Sequence, residues 1–183
     1  MLLPIYAYGH PVLRKKAEDI TPDYEDLSKL IADMWETMYH AEGVGLAAPQ
    51  IGRPIRLFII DSIQLEEKGK DVIGLKTVFI NAEKVEEKGK IWAYEEGCLS
   101  IPDIRGDVDR LDTLTLRYLD ENFVEHITTF DGINARVIQH EYDHIEGILF
   151  LEYLKPVKKA MIRGRLENIR KGKVKVDYKM KFA

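Results

Sequence analysis

The sequence predicts an α+β fold, with mixed or antiparallel strands around a central His-Glu-x-x-His helix, one N-terminal helix and one C-terminal helix. Two observations carry this reading. Strand-like runs, alternating or rich in β-branched and aromatic residues, cluster in the middle of the chain. Apolar residues at three- and four-residue steps lie on either side of them.

The first helix is read from "TPDYEDLSKLIADMWETMYHAEG" (21–43), with Thr21 as cap and Pro22 at the first helical position. Leu27, Leu30, Ile31, Met34 and Met38 share one face, a stripe suited to core packing, and Gly43 is a stop signal. "VGLAAPQIGRP" (44–54), with small residues and two prolines, reads as a loop. "IRLFII" (55–60) and "TVFIN" (77–81) read as strands, and the charged "DSIQLEEKGKDVIG" between them as a solvent-facing loop. "KIWAYEEG" is a further strand leading to Cys98. "LDTLTLRYLDENFVEHITTF" alternates on both sides of "DEN", as a hairpin does. A helix follows from Asp131–Gly132, with Asp131 as cap, to Gly147. The last helix starts at Pro156 and is basic toward its C-terminus, as the helix dipole favours. The tail "KVKVDYKMKF" alternates like an edge strand.

A chain of 183 residues suits one domain with its own core, and 45% hydrophobic with 32% charged residues is ordinary for a globular protein. The net charge of −4, with both signs interspersed, offers neither nucleic acid nor an anionic membrane a basic face. A single cysteine excludes an internal disulfide framework and fits a reducing compartment. The start "MLLPIYAYGHPVLRKK" lacks a basic region ahead of a long apolar run. No segment reaches the roughly 18 to 20 apolar residues of a membrane helix. These features predict a cytoplasmic protein.

The chemistry concentrates in "QHEYDH" (139–144). His140 and His144 are four residues apart, so they point the same way one helical turn apart, the spacing at which two imidazoles grip one ion. Glu141 is placed to reach a water on that ion. Ile133, Val137, His140, His144 and Ile148 form one inward stripe. Buried imidazoles and a buried carboxylate are costly unless paired or bound to metal. Two core histidines satisfied by hydrogen bonds are the plainer alternative, but spacing, Glu141 and the inward face agree on a metal.

A catalytic site of this type wants three protein ligands. Downstream of His144 stand Glu146, Glu152 and Glu167 but no histidine, and Glu146 points elsewhere on the helix. Cys98 is the better third ligand, its thiol deprotonated by the ion. These residue types favour soft-to-borderline divalent metals over calcium or magnesium without choosing between iron and zinc.

"GVGLAAPQ" (43–50), "EGCLS" (96–100) and "QHEYDH" (139–144) resemble, in order, the three signature motifs of peptide deformylases. "YGHPVLRKKA" and "IPDIRGDVDR" are also similar, so the resemblance runs from about residue 4 to about residue 150. Val44 stands where Ile is common and Ile145 where Leu is common after "DH"; neither carries chemistry. The 62–76 loop and the C-terminal tail match least. The resemblance implies a single catalytic domain over residues 1–183, a monomer acting in N-terminal processing during protein biosynthesis. It would remove the formyl group from formyl-methionyl peptides, with one divalent ion per chain. That ion is commonly Fe2+ in the family, with Zn2+, Ni2+ or Co2+ as substitutes.

By resemblance, Gln50 and the backbone N–H of Leu99 stabilise the oxyanion, whereas on its own Gln50 reads as a loop-surface amide. The same analogy has the backbone of Val44 and Gly45 pair with an extended substrate. Glu141 acts as general base and then acid. Ile133 and Val137, on the metal face, line a methionine pocket or simply pack in the core. Glu96, Arg105 and Arg110 form a charge network behind the cysteine or lie on the surface. His10, His40 and His126 lack partners at ligand spacing and read as structural. The basic last helix offers a transient ribosome contact or only a solvated face. Two rivals stand beside this reading: an H-E-x-x-H protease cutting internal peptide bonds, and a non-catalytic metal-binding protein.

Overall fold

Alternation in the middle of the chain builds one antiparallel sheet. The computed structural model describes residues 1–66 and 73–183. Its elements are β1 (Ile5–Tyr6), α1 (Leu27–His40), β2 (Gly45–Ala47), β3 (Leu57–Asp61), β4 (Lys76–Cys98), β5 (Ile101–Leu119), β6 (Glu125–Asp131), α2 (Gly132–Ile145), α3 (Pro156–Arg170) and β7 (Met180–Lys181). Strands β2-β3-β4-β5-β6 lie in that order, all antiparallel. β1 and β7 pair in parallel as a separate two-stranded sheet.

"TVFIN" and "KIWAYEEG" turn out to be two ends of one 23-residue strand. The residues between them, from Glu83 to Gly89, are mostly exposed and charged, so no hydrophobic alternation marks them. Their backbone ladder to β5 holds them instead. Four register shifts along that ladder bend and twist the hairpin. One falls between Lys88 and Ile91, where Gly89 sits at φ +92 and a side chain would collide with Asp112.

Period-2 alternation sorts the core. Leu57 and Ile59 face α1, with Ile31, Met34 and Met38, on one side of the sheet. Phe58, Phe79, Leu114 and Phe130 face Ala135, Ile138, Tyr142 and Ile145 of α2 on the other. A third cluster joins the start of β5, through Ile101, Ile104 and Val108, to Leu151, Leu154 and α3.

Several local expectations change. α1 starts at Leu27 rather than near Thr21, because Asp26 adopts a left-handed φ of 55 that breaks the helix before it. Thr21 closes a turn instead, accepting from the Tyr24 N–H at 3.0 Å. "VGLAAPQ" is not loop throughout: Gly45–Ala47 form an edge strand and Ala48–Ile51 a 3-10 turn. The charged loop of 61–74 lies partly outside the described residues, and within them Ser62 is fully buried, hydrogen-bonded to Asn134. α2 and α3 start at Gly132 and Pro156 as expected, but the Asp131 side chain makes no capping hydrogen bond and α2 ends at Ile145, two residues before Gly147; the tail adds the two-residue β7.

Phe79 is fully buried, 4.7 Å from Phe58 and 4.5 Å from Tyr118 between ring centroids. Phe79→Ala is expected to cost about 3–5 kcal/mol, read as a lower urea midpoint at unchanged slope. An unmoved midpoint would contradict this core.

Candidate metal centre

The helix α2 and the tip of the β4–β5 hairpin meet at one point. Cys98 ends β4 and pairs with Ile101 across the two-residue turn Leu99–Ser100. One turn of helix separates His140 from His144, as their spacing requires. The Cys98 sulfur and one ligand atom from each imidazole lie within 4.8 Å of one another. Sγ is 3.3 Å from Nε2 of His144.

A soft sulfur and two imidazole nitrogens at that separation are a fitting donor set for a transition metal. One orphaned atom points the same way: buried Oε2 of Glu141 has no hydrogen-bond partner among the described residues. Buried polar atoms are rarely left so.

Behind the donors lies a buried charge network. His140 Nδ1 is 2.9 Å from Glu96 Oε2, which leaves its Nε2 for an ion. Arg110 donates to both Glu96 oxygens, at 2.7 and 3.1 Å, and to Asp143 at 2.8 Å. Arg136 donates to Glu96 at 3.0 Å and to the carbonyls of Val108 and Trp92. Burial alone would raise the Glu96 pKa, but His140 and Arg110 hold it well below the usual carboxylate range. Burial likewise opposes charge on His140, yet Cys98 and Glu96 hold its pKa well above normal. His144 goes the other way, lowered by burial and by His140.

Of the two places the sequence left open for Arg105, the network and the surface, the structure gives the surface. Arg105 is exposed and pairs with Glu95 at 2.9 Å. Arg136 and Asp143 take its place and were missed. Helical spacing held the signal, since 136, 140 and 143 fall within one face of α2. His10 and His126 do have local polar partners: His10 Nδ1 accepts from the Val12 N–H and His126 bonds Asp120. His40 lies at the rim of the cleft described next.

The donor atoms open onto a cleft of about 680 Å³. Val44, Gly45, Gln50, Leu99, Val137 and Glu141 line it, whereas Ile133, half-buried one turn before Val137, does not. Burial pushes the Glu141 carboxyl up to about 7, with Glu96 and Asp143 adding and His140 opposing. A Cβ on Gly45 would run into the Glu141 carboxyl, so the glycine leaves room for it. Gln50 is pinned at both ends. Its Oε1 accepts from the Ala47 N–H at 2.9 Å, and its Nε2 lies 3.4 Å from Cys98 Sγ and 3.3 Å from Ser100 Oγ.

The polypeptide deformylase family model matches residues 2–160. A peptide deformylase of Christiangramia forsetii is 55% identical, aligned over 100% of this chain and 96% of that protein. One of Cytophaga hutchinsonii is 50% identical over 100% and 98%. Among solved structures, a peptide deformylase from Legionella pneumophila superposes with a TM-score of 0.81 at 37% identity, covering 94% of this chain and 98% of that one. One from Plasmodium falciparum gives 0.83 at 32%, covering 92% and 95%.

A histidine oriented by a buried carboxylate loses ligand strength when the carboxylate is changed. Glu96→Gln is expected to weaken zinc affinity about 10- to 100-fold, measured by chelator competition. Wild-type affinity would show that Glu96 does not orient His140.

Proposed function

Because the chain belongs to the polypeptide deformylase family, we propose that Cys98, His140 and His144 hold its metal and that Glu141 is its general base and acid. The enzyme is a metal-dependent hydrolase that removes the formyl group from the N-terminal methionine of new proteins. The observation that carries the residue assignment is the convergence of one sulfur and two imidazoles beside an unpartnered buried carboxylate.

A bound divalent ion supplies Lewis acidity, lowering the pKa of water from 15.7 toward about 7. Glu141, poised near neutrality, takes the proton of the attacking water and passes it to the departing amine. The Gln50 side-chain amide and the Leu99 N–H donate to the oxygen that becomes negative as the formyl carbon turns tetrahedral. Gln50 is held for this by Ala47 and Ser100.

The substrate backbone adds to β2. That strand is an edge of the sheet. The Val44 carbonyl accepts from the Asp61 N–H at 2.8 Å, on the β3 side. Antiparallel alternation then turns the N–H and C=O of Gly45 outward, toward the cleft. Val137 gives the methionine side chain an apolar wall, and Ile133 has no part in it. The native ion is Fe2+, replaceable by Zn2+, Ni2+ or Co2+; the sulfur-and-nitrogen donor set supports metals of that class. The setting is the cytoplasm, where one free thiol stays reduced. No helix among the described residues is long and apolar enough to cross a membrane.

Metal-loaded enzyme is expected to release formate from formyl-Met peptides with every peptide bond intact. Internal cleavage with formyl retained would refute this reading. Cys98→Ser should lose the metal during gel filtration against a weak chelator. Glu141→Gln should retain the metal and lose about 10²- to 10⁴-fold in kcat. If Glu141→Gln turns over normally, the base is elsewhere.

A further inference from the structure

The Leu99–Ser100 turn is held by parts of the chain far from it in sequence. The Leu99 carbonyl accepts from the Tyr178 hydroxyl at 2.8 Å. The Ser100 carbonyl accepts from the Tyr8 N–H at 2.8 Å. Tyr8 and Tyr178 are brought together by one small structure, the parallel pairing of β1 with β7, in which Ile5 stands beside Met180 and Tyr6 beside Lys181. Backbone bonds from Ile5 to Lys179 and from Ala7 to Lys181, both 2.8 Å, fasten it. Tyr178 also lines the catalytic cleft, along with Lys175 and Asp177. It lies beyond the residues that match the family model, 2–160.

We propose that the β1–β7 pair clamps the Leu99–Ser100 turn and that Tyr178 is a positioning residue for the Leu99 N–H. This rests on the reading of that N–H as an oxyanion donor. The two peptide planes flanking Leu99 share its Cα. Tyr178 fixes the following plane by its carbonyl, and the Cys98–Ile101 pairing fixes the strand before it. What remains free is a small rotation of the plane that carries the Leu99 N–H. Preorganised donors stabilise a developing charge because no energy goes into aligning them during reaction. A carbonyl can only accept, so the phenol must stay protonated to hold it. Burial, with the nearby Cys98 and Asp103, pushes the Tyr178 pKa up, which keeps that proton in place. The sequence elements thus close a loop: the first strand and the last grip the one turn beside the metal ligand.

The test is Tyr178→Phe in the full-length, metal-loaded enzyme, which keeps the ring and removes only the hydroxyl. The expected result is a kcat about 3- to 10-fold lower, the range one ordinary hydrogen bond contributes. KM should stay within about twofold, with metal content and thermal midpoint as in wild type. A wild-type kcat overturns the proposal. So does a raised KM at unchanged kcat, which would make Tyr178 a substrate contact. A fall in kcat that tracks lost metal or a lowered midpoint would make its role merely structural and also overturns it. A second variant separates this proposal from the reading beneath it. Replacing the Leu99 amide by an ester, with leucic acid at that position, removes the N–H itself. A loss of about 100-fold or more there, beside a normal Tyr178→Phe, leaves the oxyanion reading standing and removes the clamp. A fully active ester removes the oxyanion reading, and the clamp with it.

Discussion

One carboxylate, that of Glu96, organises the centre of this molecule. It accepts from Arg110 twice, from Arg136 and from His140, and it is almost wholly buried. An isolated charge at that depth would be strongly unfavourable, and removing one member of such a set leaves another uncompensated. The set therefore acts as one unit. Glu96 stands two residues before Cys98 on β4, Arg110 is on β5, and Arg136, His140 and Asp143 are on α2. The same interactions that neutralise the charge fix the height and rotation of the helix against the hairpin. That is the geometry which brings a sulfur from one element to two imidazoles on another.

The chemistry follows from how dry this corner is. Glu141 is 5% exposed, and burial, the largest of the effects on it, moves its carboxyl toward the pH at which it can both take and give a proton. Gly45 is part of the same arrangement, because its missing side chain is the space the carboxyl occupies. The edge strand β2 thus makes room for the Glu141 carboxyl and, in the proposed function, presents its backbone to an extended peptide. Gln50 ties the last residue of that strand, Ala47, to Ser100 in the cysteine loop. A hydrolase for a small formyl group on a peptide end needs this combination of a deep reactive point and an open groove beside it.

Much of this was legible in local patterns. His140, His144 and Glu141, the proposed ligands and base, are written in consecutive turns of one helix, and helical periodicity is a local property. Cys98 needed elimination, since the fold alone brings it across. The charge network was half legible. Along β5, Ile104, Val108 and Arg110 face inward while Arg105 faces out, a parity difference that separates the two arginines once the strand is known. The register was hidden by the charged stretch 83–89, which pairs through its backbone ladder but carries no hydrophobic alternation. Arg136 and Asp143 were not singled out, because charge usually marks a surface. Tyr178 and Tyr8 could not be read at all, since their meeting depends on the pairing of the first and last strands.

The central claim is that Cys98, His140 and His144 jointly bind one ion. X-ray absorption on zinc-loaded protein measures that shell directly. The account predicts one sulfur at about 2.3 Å and two imidazole nitrogens at about 2.0–2.1 Å. A shell of nitrogen and oxygen alone, with no sulfur scattering, would contradict it.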